Sequence, residues 1–154
     1  MVCAMVDIRT NEFIGIHRTF LTADAKKGVV LTLARKLGSA IKIDPNDTVY
    51  EGLAVAEGIE STIAARFICR PAWSLIDANG INGFPVLTGI EHLSIFADND
   101  ANKTGETAAY ERQERWQKAG AEVVIQMPPN VGEDIADIIS NRRDPPRAVS
   151  SPRP

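Results

Sequence analysis

The sequence predicts an α/β fold: a four-stranded parallel sheet with helices on both faces, preceded by a small β-rich segment. Three observations lead there. From residue 53 onward, apolar runs of strand length alternate with longer stretches of helical periodicity. Before residue 50 the runs are β-rich and joined by short polar connections. Acidic residues in the second part recur just after the apolar runs, at what would be strand ends.

Val2 to Ile8 and Phe13 to Leu21 are separated by Arg9-Thr10-Asn11-Glu12, which predicts a hairpin. Residues 22–30 read as an exposed loop, and Val29 to Leu37 fits a strand or a short helix equally. Lys36-Leu37-Gly38-Ser39 is a turn, and Ala40 to Ile43 a short strand ending at Asp44-Pro45-Asn46-Asp47. Leu53-Ala54-Val55-Ala56 is a buried strand. Ile59 to Cys69 is a helix on the spacing of Ile59, Ile63 and Phe67, stopped by Arg70-Pro71. Ala72 to Ile76 is the next strand, and Asp77-Ala78-Asn79-Gly80 opens a short helical or looped segment up to Leu87. His92 to Ala97 is the third strand. Thr104 to Ala119 is the longest helix, with Gly120 as its C-cap. Ala121 to Gln126 is the fourth strand, and Gly132 to Ser140 the last helix. Residues 141–154 have the Pro/Ser/Arg composition of a disordered tail. The division is therefore 1–49, 50–140 and 141–154.

Composition narrows the class. The 154 residues are 44% hydrophobic and 24% charged, ordinary for a globular protein. No apolar run approaches the roughly 20 residues of a membrane helix, and the N-terminus lacks a signal-peptide pattern. No membrane partner and a cytoplasmic location are expected. Cys3 and Cys69 read as reduced thiols; two Cys and two His argue against a four-ligand zinc site. Residues 51–140 carry six Lys/Arg against fourteen Asp/Glu, a balance that repels phosphate unless metal ions neutralise part of it.

In parallel α/β sheets, ligands sit beyond the carboxyl ends of the strands. Glu57, Asp77, the Asp98/Asp100 pair and Glu133/Asp134 follow the four strands in turn, so all fall on that edge. Glu57 and the Asp-Asn-Asp run face each other if the first and third strands are neighbours. Gly58 after Glu57 allows a tight turn and close approach of a phosphate. Oxygen-only donors suit a hard ion such as Mg²⁺, which takes one or two carboxylates plus water and substrate phosphate.

Val55-Ala56-Glu57-Gly58-Ile59-Glu60, Ile95-Phe96-Ala97-Asp98-Asn99-Asp100 and Gly132-Glu133-Asp134-Ile135-Ala136-Asp137 together resemble a Toprim domain, over roughly residues 50–140. The resemblance is nearest to the Toprim module of phage- and plasmid-type DNA primases. Gly15 to Leu21 and Lys36-Leu37-Gly38 resemble the segment that precedes it there. The resemblance implies a catalytic, metal-binding set of Glu57, Asp98 and Asp100 with Asp134 in support, holding Mg²⁺ or Mn²⁺. It puts Arg18, Lys36 and Gly58 on nucleotide or nucleic acid. Glu133 stands where the primases usually have lysine. The implied chemistry is RNA primer synthesis on single-stranded DNA from nucleotides, or strand cleavage as in nuclease and topoisomerase relatives. A non-catalytic module binding nucleic acid or a partner protein is the alternative. With neither zinc ribbon nor helicase in the sequence, the expectation is a fragment or shortened form, with such a partner acting in trans.

Several residues have plainer expectations. His17 reads as a structural histidine and His92 as a surface one. Trp73 and Trp116 read as core, Tyr50 and Tyr110 as packing or surface residues. Glu111 to Arg115 reads as a solvated helix face, and Asn99 as the residue that turns the chain.

Overall fold

Strand-length apolar runs assemble into one eight-stranded sheet in the computed structural model, which describes residues 1–24 and 26–143, the side chains of 141–143 excepted. The elements are β1 (Val2–Asp7), β2 (Phe13–Leu21), β3 (Lys27–Leu33), β4 (Ser39–Lys42), β5 (Gly52–Ala56), α1 (Ile59–Ala65), β6 (Ala72–Ser74), α2 (Ala78–Gly83), β7 (His92–Phe96), α3 (Thr104–Lys118), β8 (Glu122–Gln126) and α4 (Ile135–Arg143). Across the sheet the order is β3-β2-β1-β4-β6-β5-β7-β8. Strands β6, β5, β7 and β8 run parallel. Strands β3, β2, β1 and β4 are antiparallel, and β4 joins β6 antiparallel. The expected four-stranded parallel sheet is present, and the β-rich segment continues it.

Alternation along β5 decides which helix covers which face. Leu53 and Val55 belong to a core with Leu93, Ile95, Ile81, Ala108 and Trp116, under α2 and α3. Ala54 and Ala56 pack with Ala64, Ala65, Phe96 and Ile135, under α1 and α4. Trp116 is fully buried and stacks on Phe84 with ring centroids 5.4 Å apart. A third cluster, Met5, Ile41 and Ile59, binds α1 to the antiparallel half. No helix among the described residues is long and apolar enough to cross a membrane.

The expectations for three segments are corrected. The supposed loop 22–30 contains the start of β3, which pairs with β2 through Leu21↔Lys27, Arg18↔Leu31 and Ile16↔Leu33. Its lysine and glycine mimic a loop because β3 is the outermost strand, where exposed charge is common. The helix expected to reach Cys69 ends at Ala65, and its last turns tighten through Phe67 N–H to Ala64 O and Ile68 N–H to Ala65 O. Phe67 and Ile68 are exposed, because small residues form the stripe that meets the sheet. Residues 141–143 of the expected tail belong to α4, and 144–154 lie outside the described residues.

Asp44 fastens the two halves of the sheet. Its carboxylate accepts from Arg66 Nε and Nη2 at 2.8 and 2.6 Å and from the Ala72 N–H at 2.9 Å. Its carbonyl accepts from Trp73 Nε1 at 2.9 Å. Burial pushes the Asp44 carboxyl upward, but the Arg66 and Ala72 hydrogen bonds outweigh it and hold it below the usual range. Asp44→Ala is expected to lower stability by about 2–3 kcal/mol in urea unfolding, less than the loss at a fully buried pair, because Arg66 keeps some contact with water.

Candidate functional site

Register aligns the carboxyl ends of the parallel strands in one row. Ala56 sits opposite both Ser74 and Phe96, and Phe96 opposite Gln126. Neighbouring strands lie about 4.8 Å apart. Glu57, the residue after β5, therefore meets the segment leaving β7, and the Asp98 N–H donates to Glu57 Oε1 at 3.4 Å. Glu57 is 8% exposed, Asp98 half-buried and Asp100 exposed.

The Glu57 and Asp98 carboxylates share an environment that disfavours charge. Burial, then the nearby charges of Asp98, Asp100 and Asp77, push the Glu57 carboxyl up to about 7, against the pull of the Asp98 N–H. Burial, then Asp134 and Asp100, push Asp98 up to about 6, opposed by the Ser61 hydroxyl and Lys27. Among the described residues no Lys, Arg or His forms an ion pair with Glu57, Asp98, Asp100 or Asp134.

Two residues set this crowding. A Cβ at Gly105, in the first turn of α3, would overlap Glu57 Oε1 and lie 3.0 Å from the Asp98 carbonyl oxygen. The carboxylate is thus seated directly against the helix backbone. Asn99 ties the loop after β7 to the loop before α4: its side chain donates to Pro128 O at 2.9 Å. Its N–H donates to Glu133 O at 3.2 Å, and its carbonyl accepts from Gly132 N–H at 2.6 Å. Asn99 is therefore a clamp between loops as well as a turn, and it draws Asp134 toward Asp98. Asp134 also caps α4, accepting from the Asp137 N–H at 2.9 Å, while the Asp134 N–H donates to Asp137 Oδ2 at 3.2 Å.

The remaining candidates divide. Lys36 reaches the acidic edge, where its Nζ donates to Asp77 at 3.0 Å, and Asp77 also caps α2 by accepting from the Gly80 N–H. Arg18 does not reach it: it lies on the face of β2 opposite His17, and the electrostatic neighbours of His17 are Glu60, Lys36 and Lys27. Gly58 has φ −85°, open to any residue, and a Cβ there meets only ordinary contacts, so the tight-turn reading is corrected. The close-approach glycine is Gly105, whose sign in the sequence is a lone glycine in the first turn of a helix. Lys27, which pairs with Glu60 at 3.2 Å, was hidden in the supposed loop. His17 is buried, with Nδ1 3.0 Å from Thr32 Oγ1. His92 is exposed beside Glu122. The solvated face 111–115 has two exceptions, the buried Arg112 and the half-buried Gln113, whose Nε2 donates to Val123 O at 3.0 Å.

Residues 52–144, well over half of the chain, match the Toprim domain family. The chain belongs to the Toprim family. No curated protein matches it. Toprim domains generally bind divalent metal ions such as Mg²⁺. Among the described residues no three acidic, His or Cys side chains close on a common point as a finished cage. The Toprim edge here fits an open site instead, in which one or two carboxylates hold a hard ion that keeps much of its water. Unscreened repulsion between Glu57, Asp98 and Asp100 is what a divalent cation would relieve.

The raised pKa values fix a sign. Folded Glu57 and Asp98 hold protons that the unfolded chain releases, so stability in EDTA falls as pH rises from about 4 to about 7. Glu57→Gln is expected to flatten that slope and to melt higher than wild type at pH 8. A variant that melts lower there contradicts the account. Gly105→Ala is expected to displace the Glu57 carboxylate while changing stability by no more than about 1–2 kcal/mol, since alanine gains helix propensity. The check is a thermal shift with millimolar Mg²⁺, in which the variant loses most of the wild-type response.

Proposed function

We propose that this Toprim chain is the Mg²⁺- or Mn²⁺-dependent core of a primase-type nucleotidyltransferase, joining ribonucleotides on a single-stranded DNA template. The observation that carries the reading is the neighbouring pair of buried Glu57 and half-buried Asp98, which among the described residues forms no ion pair, at the ligand-binding edge of the sheet. The primase assignment draws on the likeness of Gly15 to Leu21 and of Lys36-Leu37-Gly38 to the segment preceding Toprim in primases. In this chain the first of these forms most of β2, and Lys36 sits at the acidic edge.

When bound, the metal supplies charge stabilisation to the attacking and leaving oxygens of phosphoryl transfer. Asp98 and Asp100 are its proposed holders, with Asp134 in support. Glu57 is proposed to join them: without a metal its carboxyl is pushed up to about 7, and a cation beside it would hold it ionised. Lys36 is proposed to leave Asp77 for an incoming phosphate, both side chains being partly exposed. Single-stranded DNA and nucleotides are the proposed partners, with a zinc-ribbon or helicase protein in trans.

Two observations favour a second reading, a Toprim module that binds nucleic acid without catalysis. Glu133 replaces the lysine usual in primases, and Lys36 is engaged by Asp77, which leaves few cations for a triphosphate.

Ribonucleotide incorporation on single-stranded DNA with Mg²⁺ or Mn²⁺ separates the two. Wild type is expected to extend or initiate RNA, with a loss of at least about 100-fold in both Glu57→Gln and Asp98→Asn. Cleavage of the template without incorporation assigns the nuclease chemistry of other Toprim proteins. Neither activity, with DNA still bound, supports the non-catalytic reading.

A further inference from the structure

Helix α3 carries a buried arginine that the carboxylate edge does not use. Arg112 is 4% exposed and faces α2. Its Nε donates to Ile81 O at 3.0 Å and its Nη2 to Asn82 Oδ1 at 3.1 Å. Its Nη1 is shielded from water and has no partner. Both acceptors are neutral, and among the described residues no carboxylate forms an ion pair with it. A guanidinium stays charged at working pH, so this is a buried cation that feels the charge of Glu111 but, among the described residues, forms no ion pair with it, an arrangement that is costly unless an anion arrives.

The surroundings point to such an anion. Arg115, one turn further along α3, is exposed and also without an ion pair. Arg112 and Arg115 line a cleft of about 450 Å³ together with Asn79, Asn82 and Gly83. Asn79 and Asn82 are shared with a second cleft of about 310 Å³, also lined by Asn102, Lys103 and Thr104, which begin two residues after Asp100. Glu111 is the only carboxylate among the residues lining the two clefts. From Lys103 to Arg115 the rise along the helix is about 18 Å, enough for several nucleotides.

We infer that the α2–α3 groove is a phosphate-binding track, anchored by Arg112 and Arg115 and leading past Lys103 to the carboxylate edge. Guanidinium forks match phosphate geometry, and the amides of Asn79 and Asn82 offer donors and acceptors to bases. Engaging Nη1 requires the Arg112 side chain to turn toward the cleft. The phosphates belong to a nucleic-acid strand or to a nucleotide. The inference rests on the proposed function only for where the track leads; the groove itself is testable without metal or turnover.

The test is fluorescence anisotropy of the full chain in EDTA, with a labelled single-stranded DNA oligonucleotide and, separately, a labelled nucleoside triphosphate. Arg115→Glu is expected to weaken binding by at least about tenfold and to reduce the salt slope by roughly 0.7 for each phosphate that is no longer neutralised. Arg112→Gln is expected to weaken binding while its thermal melting stays level or rises. Asp98→Asn with Asp100→Asn is expected to bind at least as tightly as wild type, which separates this track from the metal site. Arginine-dependent binding of the oligonucleotide alone assigns a strand, and of both probes a nucleotide phosphate; either supports the inference. Unchanged affinity for both probes in Arg115→Glu overturns it, even if primer synthesis is observed. Arg112→Gln that melts lower with unchanged affinity marks a purely structural arginine and overturns it too. Loss of all primer synthesis with arginine-dependent binding intact sinks the proposed function and leaves the track standing.

Discussion

Two carboxylates side by side, one buried and one half-buried, are the constraint around which this structure is arranged. Glu57 and Asp98 end adjacent parallel strands whose register leaves their backbones one strand spacing apart. Each would ionise more easily alone, and among the described residues neither forms an ion pair, Lys27 acting on Asp98 only from a distance. The fold tolerates this because two apolar layers, one on each face of β5 and β7, hold the strands regardless of what their ends prefer. Gly105 and Asn99 then remove the usual escapes. The first seats the Glu57 carboxylate against α3, and the second keeps the following loops from spreading.

The antiparallel half of the sheet contributes chemistry as well as packing. Lys27 and Lys36 come from outside the parallel unit and meet Glu60 and Asp77 at the rim of its acidic edge. Both ion pairs are exposed enough to contribute little stability. Their weight is electrostatic: they put exchangeable positive charge beside a site whose own residues supply none.

Much of this was legible in the sequence, for identifiable reasons. Strictly apolar runs such as Leu53 to Ala56 have no alternative to burial, and a parallel crossover puts the residue after each run on one edge. That reasoning placed Glu57, Asp98, Asp100 and Asp134 without any knowledge of distance. Edge strands and helix ends were less legible. Strand β3 is exposed along nearly its whole length, so burial gave its residues no pattern. Periodicity carried α1 past Ala65 because Phe67 and Ile68 keep the spacing while facing outward. The glycine that matters was misjudged for a different reason. Gly58 adjoins Glu57 in sequence, whereas Gly105 adjoins it only in space. Arg112 was hidden the same way, its neighbours Glu111, Gln113 and Glu114 giving it the look of a wetted surface.

The seam at Asp44 bears on what counts as a module. Similarity begins at residue 52, but the hydrogen-bond ladder does not. Strand β6 takes its outer partner from β4, and the Ala72 amide and Trp73 indole donate to Asp44, eight residues before that boundary. A segment excised or transplanted at the similarity boundary would present a raw sheet edge and an exposed indole face. The stretch that matches the family and the unit that the backbone closes are therefore different lengths of the same chain.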